Sequence, residues 1–211
     1  MVVTEIYKSI QGESTYAGQP CVFVRTTGCN LRCGWCDSPF SFYGGREMDT
    51  EAVLDEIRAL DCRLVEITGG EPLLHKDIPV LVRRLLDEAY GVLVETSGSL
   101  DIRGLDPRAV LIMDIKCPGS GMSETVRWDN LEALKPTDQV KFVILNRADY
   151  DWAREVVSRN RLTDRFAVLF SPVFGEMEPK RLAEWILQDG LPVRFQLQIH
   201  KYIWHPETRR V

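Results

Sequence analysis

Short apolar segments alternate with helical patterns along the chain, and this alternation restricts the possible folds more than any other feature. Strands are predicted over residues 20–26, 64–68, 92–96, 110–116, 139–145, 166–171 and 193–200, and helices begin near residues 50, 77, 150 and 179. Most of these strands lack clean polar alternation, which is typical of strands covered on both faces in a parallel sheet. Strand–helix alternation favours right-handed βαβ units.

The polar and glycine-rich segments follow the predicted strands. The dinucleotide-binding fingerprint G-x-G-x-x-G is absent, so the preferred α/β architecture is an open, partial (β/α) barrel of mostly parallel strands. We expect residues 1–211 to form a single domain. In barrels the working residues lie at the carboxyl ends of the strands. The segments at these positions are residues 27–28, 68–71, 95–98, 114–116, 171–172 and 200–201.

Composition excludes several classes of protein. The 211 residues are 45% hydrophobic and 27% charged, which is ordinary globular usage. A net charge of −5 argues against nucleic-acid binding through the phosphate backbone. Neither a secretory signal nor an apolar stretch long enough to span a bilayer is evident. We therefore expect a cytoplasmic protein that binds no membrane.

Three of the six cysteines lie close together, at Cys29, Cys33 and Cys36. In a reducing compartment, clustered cysteines indicate metal binding or catalysis. Thiolates are the usual ligands of iron–sulfur clusters. Three thiolates on one loop can bind three irons and leave the fourth iron open to a small molecule. A structural zinc site completed by Cys21 or Cys62 is the alternative.

The spacing C-x3-C-x2-C, followed downstream by Gly69-Gly70-Glu71-Pro72, resembles the radical S-adenosylmethionine superfamily. The resemblance implies a partial barrel of the radical S-adenosylmethionine type. It also implies a 4Fe–4S cluster on the three cysteines, with the methionine end of S-adenosylmethionine on the open iron. One electron then splits the cofactor and yields a 5′-deoxyadenosyl radical.

Further segments narrow this resemblance. Ser9-Ile10-Gln11-Gly12-Glu13, Cys36-Asp37-Ser38, Glu95-Thr96-Ser97-Gly98, Asp114-Ile115-Lys116 and Gln198-x-His200-Lys201 occur in an order similar to that of the 7-carboxy-7-deazaguanine synthase family. The family implies ring contraction of 6-carboxy-5,6,7,8-tetrahydropterin with release of ammonia, in queuosine and 7-deazapurine biosynthesis. It implies that Ser38 binds Mg2+, at a position where many relatives have Thr. The alternative interpretation is that Ser38 only caps a turn before Pro39. A flavodoxin-type electron donor and a homodimer are also expected.

The same resemblance and the chemistry of the side chains suggest the site residues. Arg25 carries a planar fork that suits a carboxylate, although a salt bridge within the protein is equally compatible with the sequence. Asp114 and Lys116 are two residues apart and can face the same side. The expected cofactor contacts are Gly69, Gly70, Glu71, Ser97, Asp114, Lys116, Ser171 and Pro172. The expected substrate contacts are Ile10, Gln11, Gly12, Glu13, Arg25, Thr68 and His200.

Two further functions compete with this interpretation. A glycyl-radical-enzyme activase shares the cysteine spacing and the D-x-K pattern at residues 114–116, but acts on a protein chain. Gln11-Gly12-Glu13 and Ser38 argue against it. An electron carrier would not need an open iron.

Overall fold

A nine-stranded sheet forms the centre of the structure, a computed structural model that describes residues 1–211. The strands are β1 (Val2–Ile10), β2 (Pro20–Thr26), β3 (Arg46–Glu47), β4 (Leu64–Gly69), β5 (Gly91–Thr96), β6 (Val110–Asp114), β7 (Gln139–Ile144), β8 (Ala167–Pro172) and β9 (Arg194–Phe195). Their order across the sheet is β3-β1-β2-β4-β5-β6-β7-β8-β9. Strand β1 is antiparallel to β2 and β3, and every pair from β2 to β9 is parallel. The prediction of a mostly parallel sheet is therefore confirmed.

Six helices accompany the sheet: α1 (Thr50–Ala59), α2 (Ile78–Asp87), α3 (Asn130–Ala133), α4 (Arg147–Arg159), α5 (Pro179–Asp189) and α6 (His200–Ile203). Asp49 caps α1 by accepting a 2.8 Å hydrogen bond from the backbone N–H of Ala52. Asn146 caps α4 in the same way. Gly190 ends α5 with a φ of 57°, a left-handed conformation that glycine adopts without strain. None of the helices combines the length and apolar character needed to cross a bilayer.

The two faces of the sheet differ in chemistry. Alternate strand residues such as Val22, Val65, Val94 and Phe142 enter a core of 40 buried residues that includes side chains of α1, α2, α4 and α5. The intervening residues, including Glu66, Glu95, Asp114 and Lys141, line a cavity on the other face. Because successive strand residues point to opposite faces, one sequence builds an apolar convex side and a polar concave side.

Loops connect the two ends of the sheet across its concave face. The Nε2 of Gln196, just after β9, donates a 2.7 Å hydrogen bond to the carbonyl of Ser14, which follows β1. The backbone N–H of Ile199 donates to the carbonyl of Gly12 at 3.0 Å. The sheet itself stays open, since β3 and β9 do not pair. The architecture is the expected partial barrel, closed by loops instead of by strand pairing.

One sequence prediction about the elements was wrong, and one long strand was missed. Residues 193–200 form a strand only at Arg194–Phe195, and His200 begins α6. Strand β1 was not predicted, because Glu5 occupies a buried position and breaks the apolar pattern of Val2–Ile10. Segment 9–14, expected before the first strand, therefore begins inside β1.

Candidate active site

The loop after β2 carries the three clustered cysteines. Cys29, Cys33 and Cys36 are free, half-buried, and line a cavity of about 680 Å³ on the concave face. Burial raises the pKa of the Cys29 and Cys33 thiols. Metal binding would therefore have to displace protons from them.

No group of three His, Cys, Asp or Glu side chains is placed to share one metal ion. Cys21 begins β2, and Cys62, which precedes β4, donates to the Pro20 carbonyl at 3.3 Å. Both lie at the end of the sheet opposite the cysteine loop. A zinc site completed by either cysteine is therefore excluded. Thiolates that each bind a different iron of a cluster need not converge on one ion.

The Gly-Gly-Glu-Pro turn packs directly on the cysteine loop. A Cβ on Gly70 would lie 1.9 Å from the carbonyl oxygen of Gly28. Gly69 has a φ of 138°, and its Cβ would lie 2.4 Å from the backbone of Thr26. The backbone N–H of Glu71 donates to the Gly28 carbonyl at 2.8 Å. Glycine is needed at both positions because the two loops touch through their backbones.

The Glu71 side chain is bound within the protein. Its carboxylate is fully buried and accepts hydrogen bonds from Leu73 N (3.1 Å), Thr96 Oγ1 (2.8 Å), Ser97 N (2.8 Å) and Ser97 Oγ (2.5 Å). It does not line the cavity, whereas Gly69, Gly70 and Ser97 do. The Glu71 carboxylate therefore holds the turn against the end of β5, and the cofactor contact of this residue stays a prediction.

Charged side chains of four neighbouring strands form the floor of the cavity. The ammonium of Lys141 bonds Glu13 (2.8 Å) and Glu95, and lies 3.5 Å from Asp114. Lys116 also bonds Asp114, at 2.8 Å. Burial alone would lower the pKa of Lys141, but the Glu13 and Glu95 carboxylates raise it well above its usual range. Lys141 therefore stays protonated.

Glu66 is the most enclosed carboxyl group of this floor. It is 4% exposed, and its Oε2 accepts a hydrogen bond from Gln11 Nε2. Burial, and then the nearby Glu95 carboxylate, raise the pKa of Glu66 well above its usual range. Sequence reasoning assigned no role to Glu66, Glu95 or Lys141. Their charge at alternate positions of otherwise apolar strands was the signal that could have identified them.

Two buried polar atoms near the strand ends have no partner within the chain, Asp114 Oδ1 and Ser171 Oγ. Buried polar groups are normally hydrogen-bonded. Asp114 is the last residue of β6 and Ser171 is the last but one of β8, so both lie at the strand ends that carry the cysteine loop. Asp114 lines the cavity, so its unpaired Oδ1 can accept a hydrogen bond from a bound cofactor. Pro172 lines a smaller adjoining cavity of about 410 Å³, and Ser171 lines neither cavity.

The Gln11-Gly12-Glu13 segment forms one wall of the cavity. Gln11 Nε2 bonds Glu66, and its Oε1 accepts from the backbone N–H of Glu13 at 2.9 Å. Both polar atoms of the Gln11 side chain are thus bound within the protein. A Cβ on Gly12 would lie 2.0 Å from His200 Nδ1, so the imidazole packs directly on this backbone. The residues that line the cavity include the predicted substrate contacts Ile10, Gln11, Gly12, Glu13, Thr68 and His200.

Arg25 forms the salt bridge within the protein that was one of the two arrangements left open by the sequence. Its Nε donates to Glu5 at 3.0 Å and its Nη2 to Tyr7 Oη at 3.3 Å. Its Nη1 makes no hydrogen bond within the chain, and the residue lines the cavity. Arg209, near the end of the chain, also bonds Glu5, at 3.0 Å. Arg25 is therefore salt-bridged and still has donors that can reach a ligand.

Ser38 lies on the cavity wall beside the cysteine loop. Its hydroxyl donates to Asp37 Oδ1 at 3.3 Å, and Asp37 Oδ2 accepts from Gln198 Nε2 at 3.0 Å. Because the hydroxyl hydrogen is directed to Asp37, the oxygen lone pairs of Ser38 are available. Hydroxyl and carboxylate oxygens are the hard ligands that Mg2+ takes.

The barrel, the cysteine loop and the glycine turn together define a radical S-adenosylmethionine protein. The family model of the radical SAM superfamily matches residues 23–113. The fold is similar to the crystal structure of QueE from Escherichia coli, with a TM-score of 0.77 and 21% identity over 93% of this chain and 92% of that one.

The curated relatives identify a particular family within this superfamily. A 7-carboxy-7-deazaguanine synthase of Koribacter versatilis is 46% identical over 100% of both chains. One of Chlorobaculum tepidum is 43% identical over 99% of this chain and 96% of the relative. The chain belongs to the 7-carboxy-7-deazaguanine synthase family. Membership of the superfamily implies a 4Fe–4S cluster and S-adenosylmethionine as cofactors.

Proposed function

We propose that the chain converts 6-carboxy-5,6,7,8-tetrahydropterin to 7-carboxy-7-deazaguanine and ammonia, as a radical S-adenosylmethionine lyase of 7-deazapurine biosynthesis. The observation that carries the proposal is the shared cavity, which the three cysteines, the glycine turn and the Gln11-Gly12-Glu13 wall all line. Sequence identities of 46% and 43% to two synthases, over nearly the full length of the chains, support the same reaction. The activase alternative is not favoured by these relatives.

Cys29, Cys33 and Cys36 would hold the cluster, which together with S-adenosylmethionine supplies hydrogen-atom abstraction when bound. Gly69, Gly70, Ser97, Asp114, Lys116, Ser171 and Pro172 would surround the cofactor. The unpaired Asp114 Oδ1 supports this assignment, since Asp114 lines the cavity and a ligand there would satisfy it. The Glu71 carboxylate holds the Gly-Gly-Glu-Pro turn in place through its hydrogen bond from Ser97 Oγ.

The substrate carries a carboxylate and a flat ring edge of donors and acceptors. We assign its carboxylate to the free donors of Arg25, and its ring to the wall formed by Ile10, Gly12, Glu13, Thr68 and His200. Gln11 contributes its backbone, because its side chain is bound to Glu66 and Glu13. The cavity volume of about 680 Å³ is in the range of small-molecule sites.

Mg2+ is proposed at Ser38, supported by the hydroxyl that donates to Asp37. Metal sites built from one or two protein oxygens, substrate and water are normal for Mg2+. We further propose that residues 1–211 act as one domain, that a flavodoxin-type protein supplies electrons, and that the enzyme works as a homodimer. Free thiols persist in reducing surroundings, so the proposal places the enzyme in the cytoplasm.

Anaerobic turnover tests the proposal. Reconstituted protein is mixed with S-adenosylmethionine, Mg2+, reductant and the carboxytetrahydropterin, and product is followed by mass and ultraviolet absorbance. We expect 7-carboxy-7-deazaguanine and ammonia in equal amounts. Accumulation of 5′-deoxyadenosine without deazaguanine would support the radical chemistry and contradict the proposed substrate.

Cys33→Ala should abolish both turnover and stoichiometric iron retention, because the cluster loses one of its three ligands. Cys62→Ala is the matched control, since Cys62 is half-buried at the other end of the sheet. Iron analysis and the cluster's visible absorbance measure the difference. Equal iron content in the two variants would contradict the ligand assignment.

A further inference from the structure

Glu66 has an unusual set of neighbours for an ionisable group. It lies in β4, between Phe23 of β2 and Leu93 of β5 in the register of the sheet. It is 4% exposed and lines the cavity. Its only hydrogen bond is the one that Gln11 Nε2 donates to Oε2, and Oε1 makes none within the chain.

The orientation of the Gln11 amide is determined by its other bond. Gln11 Oε1 accepts from the N–H of Glu13, which can only donate, so Nε2 must face Glu66. Glu66 therefore anchors Gln11, and Gln11 anchors the start of the wall that includes Gly12 and Glu13. The Glu66 side chain acts on the wall through this amide.

Lys141 is the cation that lowers the pKa of Glu66, but three other carboxylates surround its ammonium. The ammonium of Lys141 has three hydrogens, and Glu13, Glu95 and Asp114 surround it. The other ionisable groups near Glu66 are the Tyr7 phenol of β1 and the Cys21 thiol of β2, and burial raises the pKa of both. Both are neutral at pH 7. An ionised Glu66 would thus be a buried charge without an ion-pair partner of its own, beside two carboxylates, which is costly.

We propose that Glu66 carries its proton in the working enzyme and is a positioning residue for the substrate. The neutral acid accepts from Gln11 and presents its O–H to the ring side of the cavity. Ionisation would add a third negative charge beside Glu13 and Glu95 and repel a substrate that itself carries a carboxylate. This inference rests on the proposed function for the identity of that substrate.

Infrared spectroscopy of the reconstituted holoenzyme tests the protonation without turnover. At pH 7 the wild type should show a carbonyl-stretch band of a protonated carboxylic acid that is absent from Glu66→Gln and retained in Glu155→Gln. Glu155 is an exposed residue of α4 and serves as the matched control. Absence of a band that distinguishes Glu66→Gln from the wild type would overturn the proposal, whatever the enzyme's activity.

Steady-state kinetics test the positioning role. Wild-type KM for the pterin should rise at alkaline pH as Glu66 ionises, and Glu66→Gln, a neutral isostere, should lack this rise with kcat retained within about threefold. Glu66→Leu leaves the buried Gln11 amide without its acceptor, so its KM should rise about tenfold with a smaller change in kcat. An unchanged KM in Glu66→Leu, or the same alkaline rise in Glu66→Gln, would overturn it. A wild type that forms no deazaguanine would instead refute the proposed function.

Discussion

At the scale of single residues, carboxyl groups of the same type differ because their partners differ. Glu71 accepts four hydrogen bonds in full burial and is a structural anchor. Glu13 and Glu95 share the Lys141 ammonium. Glu66 has only a neutral amide. Hydrogen bonds to the charged form favour ionisation, and burial without them favours the neutral acid.

The raised pKa of Glu66 predicts how stability depends on pH. The pKa of Glu in an unfolded chain is about 4.3, and the pKa of Glu66 in the folded protein is well above this value. The contribution of protonated Glu66 to the free energy of unfolding is fully present below the pKa of the unfolded state. It is lost as pH rises through the pKa of the folded state. Glu66→Gln should therefore gain stability relative to the wild type as pH rises above about 4.3.

Urea unfolding of the apoprotein over a pH series measures this difference, with Glu155→Gln as the control that shows no trend. A difference between wild type and Glu66→Gln that stays constant with pH, or that reverses, would show that the folded Glu66 is ionised.

At the scale of elements, the site depends on a direct backbone contact between the cysteine loop and the Gly-Gly-Glu-Pro turn. The turn after β4 rests on the loop after β2 through Gly69 and Gly70. Parallel pairing of β2 with β4 places the carboxyl ends of both strands at the same edge. The cysteines and the glycine turn, far apart in sequence, are brought together for this reason.

Gly70→Ala should displace the cysteine loop, since the new methyl group would lie 1.9 Å from the Gly28 carbonyl. We expect iron retention to fall several-fold and turnover with it. Gly104→Ala is the control, because no atom lies within 4 Å of its Cβ position. If Gly70→Ala kept full iron content, the contact between the two loops would not matter for the cluster.

At the scale of the whole molecule, the open sheet forms a cavity because its ends are joined by loops. Gln196, after β9, bonds the Ser14 carbonyl, after β1, at 2.7 Å. The Gln198 amide adds a bond to Glu13 at 2.8 Å. These contacts link residues that are almost a chain length apart and align the Gln11-Gly12-Glu13 wall with the floor of the cavity.

Gln196→Ala leaves the Ser14 carbonyl without this donor and should cost about 1–3 kcal/mol of unfolding free energy. KM should rise as well, because the wall that follows β1 loses its tie to the far end of the sheet. Urea unfolding and steady-state kinetics measure the two effects. Gln188→Ala, on an exposed position of α5, should change neither. An equal result for both variants would contradict the closing role of Gln196.

The sequence alone predicted the class of fold, and most of the site residues that it singled out line the cavity. Apolar periodicity located β2, β4, β5, β6, β7 and β8 and four helices, since burial on both faces leaves a local pattern. The cysteine spacing was informative because the three cysteines lie on one short loop. The same local reasoning failed at β1 and β9, where buried polar or short edge segments lack such a pattern.

The tertiary structure decided which polar side chains face one another, and hence which are charged. The enclosure of Glu66, the internal anchoring of Glu71 and the sharing of Lys141 depend on contacts between strands that are distant in sequence. The sequence shows each of these residues as one charge within an apolar strand. Protonation depends on burial and on neighbouring charges, and both are properties of the folded arrangement.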